Sequence, residues 1–78
     1  MLNLQKSSAI LAKEDETLAA LQHLIGTPYS THLKQSIARL SGFSMDDVVG
    51  PEDSGVMRYQ IYVNVNQNSI ITSFSFTQ

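Results

Sequence analysis

Two runs of alternating residues face each other across an Asn-rich turn in the C-terminal third of the chain, and they leave few folds open. In the first run Met57, Tyr59, Ile61, Val63 and Val65 share one face, opposite Arg58, Gln60, Tyr62 and Asn64. In the second, Ile70, Thr72, Phe74 and Phe76 share a face opposite Ile71, Ser73, Ser75 and Thr77. A period of two marks half-buried strands, because successive side chains leave opposite faces of the pleat. The pattern predicts an antiparallel hairpin whose apolar face needs a helical cover. Keeping both apolar sets on that face pairs Tyr59 with Phe76, Ile61 with Phe74, Val63 with Thr72 and Val65 with Ile70. That register requires an even-length loop. Gln67-Asn68 or Asn66 to Ser69 supplies it, with Asn tolerating the positive φ such turns need.

The residues before the hairpin read as helix. Ile10, Leu11, Leu18, Leu21, Leu24 and Ile25 fit one broad face of a helix from about Ser8 to Ile25, stopped by Gly26 and Pro28. The alternative starts this helix at Asp15 and leaves Leu2 to Leu4 or Ala9 to Leu11 as a strand, so segment 1–13 is open between helix and strand. A second helix runs from Ser30 or Thr31 to Leu40 or Ser41, carries Leu33, Ile37 and Leu40 at helical spacing, and is closed by Gly42. Ser44-Met45-Asp46-Asp47 has the form of a capping box and opens a short third helix, which Val48-Val49-Gly50-Pro51 must end. The expected fold class is α+β: two main helices, a short third one, then a C-terminal antiparallel β-hairpin. An N-terminal strand or dimerisation would extend the sheet. The expected core sets Tyr59, Ile61, Phe74 and Phe76 against Leu21, Ile25, Ile37 and Leu40.

Size and composition narrow function by subtraction. With 78 residues the chain is expected to form a single small domain over 1–78. It has no cysteine, which removes thiolate nucleophiles, disulfides and Cys-based zinc sites. The longest apolar run near the N-terminus, Ala9 to Ala12, is too short for a signal-peptide core, and nothing approaches the ~20 residues of a membrane span. The expectation is a cytoplasmic protein with no membrane partner. Five Lys and Arg against seven Asp and Glu give a formal charge of −2, and the cations are scattered. Nucleic-acid binders draw affinity from clustered cations, so the charge pattern argues against that class.

Residues 37 to 48 nevertheless carry a familiar pattern. Ala38, Gly42, Phe43, Ser44 and Val48 occupy the small, turn, apolar, cap and packing positions of a corner that resembles the helix-turn-helix of bacterial regulators. A hairpin after a third helix resembles the winged variety. The resemblance implies a DNA-binding regulator with Lys34 and Arg39 as candidate phosphate contacts. The helix in the recognition position, however, would offer Met45, Asp46 and Asp47, whereas major-groove readers present Arg, Lys, Asn or Gln.

Other candidate sites are surfaces. Asp46, Asp47, Glu52 and Asp53 form a candidate acidic patch for a basic partner, without the ligand order of a calcium loop. Tyr62 and Ile71, flanked by Arg58 and Ser73, form a candidate interface on the outer sheet face. Neither strand carries Pro or Lys to blunt its edge, so pairing with another chain is expected. His23 and His32 lack the spacing of a zinc-protease helix, and the serines lie in no nucleophile elbow. No catalytic residue, metal ligand or cofactor is expected. The sequence is read as a small non-enzymatic protein-binding or regulatory module, of the kind a bacterial or phage inhibitor or adaptor would be. Its expected partner is another protein, itself as a homodimer, or both, with the winged-helix-like regulator as the alternative.

Overall fold

The computed structural model describes residues 6–78. Helix α1 spans Ser8–Leu21, and Ser7 caps it by accepting a hydrogen bond from the Ile10 amide at 3.2 Å. A single 3-10 turn, Gln22–Leu24, follows, and Gly26 at φ 92° takes the chain out of the helix. Helix α2 spans Thr31–Ser41 and ends at Gly42, whose φ of 81° is the left-handed conformation a C-terminal stop requires. Both glycines act as the sequence leads one to expect. The alternative strand at Ala9 to Leu11 is replaced by helix, as its run of strong helix formers favours. The alternative at Leu2 to Leu4 lies outside the described residues.

A three-stranded sheet completes the α+β architecture. Its order is β1 (Val48–Val49), β2 (Ile61–Val65), β3 (Ile71–Phe76). The expected C-terminal hairpin is β2–β3, antiparallel. The third strand comes from an unexpected place. Val48 and Val49, expected to end a third helix, instead pair parallel with Ile61 and Tyr62. That helix is cut to one 3-10 turn, Met45–Asp47, because the paired valines leave it no room. Ser44 bonds the Asp47 carboxylate at 3.4 Å and provides no side-chain cap to the backbone.

The hairpin register differs from the expected one, and the loop explains why. The Asn66 amide donates to Ile70 O at 3.0 Å, leaving the odd-length loop Gln67 to Ser69. Asn66 Oδ1 accepts from the amides of Asn68 and Ile70, while Ser69 adopts the positive φ, 61°. Pairing therefore starts with Val65 opposite Ile71, which puts Ile71 on the inner face. Left uncorrected, that parity would turn Phe74 and Phe76 outward. A bulge at Thr72 restores it, so Asn64 pairs with Ser73, Val63 with Phe74 and Ile61 with Phe76. The Thr72 hydroxyl donates to Asn64 O at 3.1 Å. The assignment of Ile71 to the outer face is thus corrected: it is 1 % exposed and belongs to the core.

That core joins Leu21, Leu24, Ile37, Val48, Ile61, Val63, Ile71, Phe74 and Phe76 in one cluster. Each fully buried aliphatic or aromatic side chain contributes ~1.5–3 kcal/mol. Three expected members are outside it: Ile25, Leu40 and Tyr59 are exposed. Ile25 has left α1 for the extended segment that pairs with β3, and Tyr59 precedes β2. Leu40 lies one residue before the buried Ser41 and lines the open cleft between α2 and α1. Segment 26–29 lines the start of β3: Gly26 N donates to Ile71 O, Ile71 N to Thr27 O, and Tyr29 N to Ser69 O, all at 2.8–2.9 Å.

Candidate functional site

Residues 50–60 carry the chain from β1 to β2 without a helix, so side chains must hold their path. The Asp53 carboxylate accepts from the Gly50 amide at 3.0 Å and pairs with Lys34 of α2 at 2.7 Å. Tyr29 Oη donates to Glu52 at 2.9 Å. Burial and then the bond to Glu52 push the Tyr29 phenol pKa well up. Gln60 is buried, and its amide is fully used: Oε1 accepts from the Val56 amide at 2.9 Å, and Nε2 donates to Asp46 O and Asp47 Oδ1. A buried amide with every group paired fixes the backbone it touches. Here it fixes Val56 to Tyr59, and that stretch displays Val56 and Met57 to solvent, Met57 at 103 % exposure.

Beside this display lies an apolar groove of about 700 Å³, walled by Lys6, Ile10, Val56, Met57, Tyr59 and Thr77. One of its walls, Tyr59, belongs to an aromatic cluster. Phe43 lies 5.3 Å from Tyr59 and 6.1 Å from Phe76 between ring centroids, and Tyr59 lies 6.3 Å from Phe76. Lys6 Nζ sits 5.4 Å from the Tyr59 centroid and makes an ion pair with Glu14 at 2.7 Å. Tyr59 Oη also donates to Glu14. Burial raises the Glu14 pKa, but the bonds from Lys6 and Tyr59 outweigh it and hold the carboxyl below its ordinary value. The same burial and bond push the Tyr59 phenol up. Asp47 is held below its ordinary value, first by the bond from Arg58. A second crevice, of about 420 Å³, lies on the other side of Tyr59 against Glu14, Phe43 and Asp47.

The residues singled out from sequence fall elsewhere. Tyr62 is half-buried and stands against Gly55, where an added Cβ would come within 2.6 Å of its hydroxyl. Ser73 and Ser75 share the Asn64 amide at 3.1 and 3.2 Å, so this outer face is a polar ladder. Arg58 belongs to the groove side, paired with Asp47. The acidic residues are divided between the two ends of β1. Asp47, Glu52 and Asp53 have partners within the chain, while Asp46 is exposed. Lys34 is committed to Asp53, and Arg39 is exposed in the last turn of α2. His23 and His32 are both exposed, and no metal-holding cluster occurs among the described residues. No helix of the described residues is long and apolar enough to cross a membrane.

Sequence reasoning missed Ile10, Val56, Met57 and Tyr59 as surface residues, and Gln60 as their support. Met57 to Gln60 alternates as regularly as the strand that follows. The only warning is length, since strands average ~5–6 residues and the alternation runs longer. Compared with known protein families, characterised proteins and solved structures, the chain matches none.

Proposed function

We propose that this protein is a small non-enzymatic binding module of the cytoplasm that acts by occupying a surface of another protein. One observation carries the reading: Val56 and Met57 are held in solvent by a buried, fully paired glutamine, beside an apolar groove. A backbone already fixed has no ordering cost left to meet when a partner covers the apolar side chains it presents. Both cations at the groove, Lys6 and Arg58, are neutralised within the chain, so an apolar anchor side chain is the matching occupant. The carboxylates that pair with these cations, Glu14 and Asp47, are kept ionised and the Tyr59 phenol protonated, which suits anchoring better than proton transfer. No structural observation favours the DNA-binding alternative, whose recognition position holds only the turn Met45–Asp47.

A photoreactive residue at Met57 tests this. In extract of the native host it should crosslink to one discrete protein, and the same group at exposed Gln35 should not. Val56→Asp should suppress that product without changing the thermal unfolding midpoint. Equal labelling from both positions, or labelling indifferent to Val56→Asp, would overturn the reading.

A further inference from the structure

Helix α1 begins near the end of β3, where Ile10 and Thr77 wall the same groove, and the segment that follows the helix meets the start of β3, where Gly26 N donates to Ile71 O. Helix α2 packs on β1, at the other side of the sheet. The flank of α1 formed by Lys13, Thr17 and Ala20 faces α2 across a shallow cleft. Leu11 and Leu18, seven residues apart and so one above the other, stand on the opposite flank of α1, away from α2. They are 49 % and 37 % exposed.

Among the described residues, β3 is the last strand of the sheet. Segment 26–29 pairs only with its start, so from Thr72 to Phe76 its outer edge has no partner among the described residues. Thr77 N bonds Gln60 O, and antiparallel bonding alternates, so the backbone groups of Phe74 and Phe76 turn to that open edge. Past the bulge at Thr72, the edge carries no Pro, Lys or other charge to blunt it. In fact no residue from Tyr59 to Gln78 is charged.

We infer that this edge pairs with a second copy of the chain, β3 antiparallel to β3 across a two-fold axis at Phe74. A two-fold interface brings each residue near its own duplicate, where a charge would repel itself. A strand free of charge avoids that conflict, and it offers nothing by which a charged partner of another kind would be selected. Centring on Phe74 uses the whole open stretch, Thr72 to Phe76, and sets Ser73 opposite Ser75 of the second copy. The two sheets become one of six strands, and Leu11 and Leu18 of each α1 cover one another. The surface is separate from the groove and does not rest on the role proposed for it.

Light scattering with sedimentation on the full chain, from micromolar to near-millimolar concentration, should show a dimer. Ser73→Lys with Ser75→Lys sets lysines against lysines across the axis and should give a folded monomer. Ser73→Lys with Ser75→Glu sets Lys against Glu and should recover the dimer. If the lysine pair disturbs folding, Leu11→Ser with Leu18→Ser, both exposed, should weaken dimerisation by more than about tenfold. A parent monomeric at every concentration overturns the inference. A dimer indifferent to both the lysine and the serine pairs overturns this placement of it.

Discussion

Gly50 lies where the chain leaves β1, and the space a side chain needs there is already taken. A Cβ would fall on Tyr29 Oη, 2.9 Å from its Cζ and 2.6 Å from Glu52 Oε1. Gly50→Ala should therefore cost about 1–3 kcal/mol, the usual penalty of overpacking. Because the nearest atom is the Tyr29 hydroxyl, the penalty should shrink in a Tyr29→Phe background, with a coupling of ~0.5–3 kcal/mol in a denaturant double-mutant cycle. Equal penalties in both backgrounds would show that the Cβ meets something else. The sequence showed Gly50 only as a stop signal before Pro51. Its closeness to Tyr29 arises from a fold that brings distant segments together, and no local pattern reports it.

The β-hairpin shows how one unread residue redirects a whole element. Ile70 and Ile71 are adjacent, so alternation alone allows either to face inward, and loop length decides. The odd-length loop selects Ile71, and the bulge at Thr72 returns Phe74 and Phe76 to the core. Deleting Thr72 should leave every inward residue inward and straighten the ladder, giving a folded protein with an unchanged near-ultraviolet dichroism spectrum. Deleting Ser75 should turn Phe76 outward and bring Thr77 in, and the protein should not fold. If both deletions behave alike, the bulge does not set the parity. Strand identity, strand face and helix stops were legible in the sequence because each has a local chemical cause. β1 was not, since two valines between a turn and a Gly-Pro pair become a strand only when β2 arrives beside them.

At the scale of the molecule, three carboxylates tie together segments far apart in sequence. Glu14 links α1 to Tyr59, Asp47 links the Met45–Asp47 turn to Arg58, and Asp53 links the crossover to α2. All three have pKa values below their ordinary 4.5 or 3.8. The unfolded chain therefore takes up these protons first as the pH falls. Their stabilisation is present above the ordinary values and is lost as the pH drops through the lowered ones. The urea midpoint should be flat from about pH 7 to 5 and fall below about pH 4. A midpoint unchanged between pH 6 and pH 3 would show that these ties add nothing. The candidate groove was invisible in the sequence for the same reason the ties were. Ile10 and Met57 share it where the bond from Tyr59 to Glu14 holds the crossover against α1.

The partnership of α1 and α2 with a strand that follows both of them has a consequence in time. Leu21, Leu24 and Ile37 find their apolar partners in Ile61, Ile71, Phe74 and Phe76, so the helices have no finished core while β3 is unmade. At about 5–20 residues per second, translation takes roughly 2–7 s to go from the end of α2 to the end of β3. During that interval the nascent helices present their apolar faces to whatever surrounds the ribosome, which makes this chain a ready client for chaperones despite its small size.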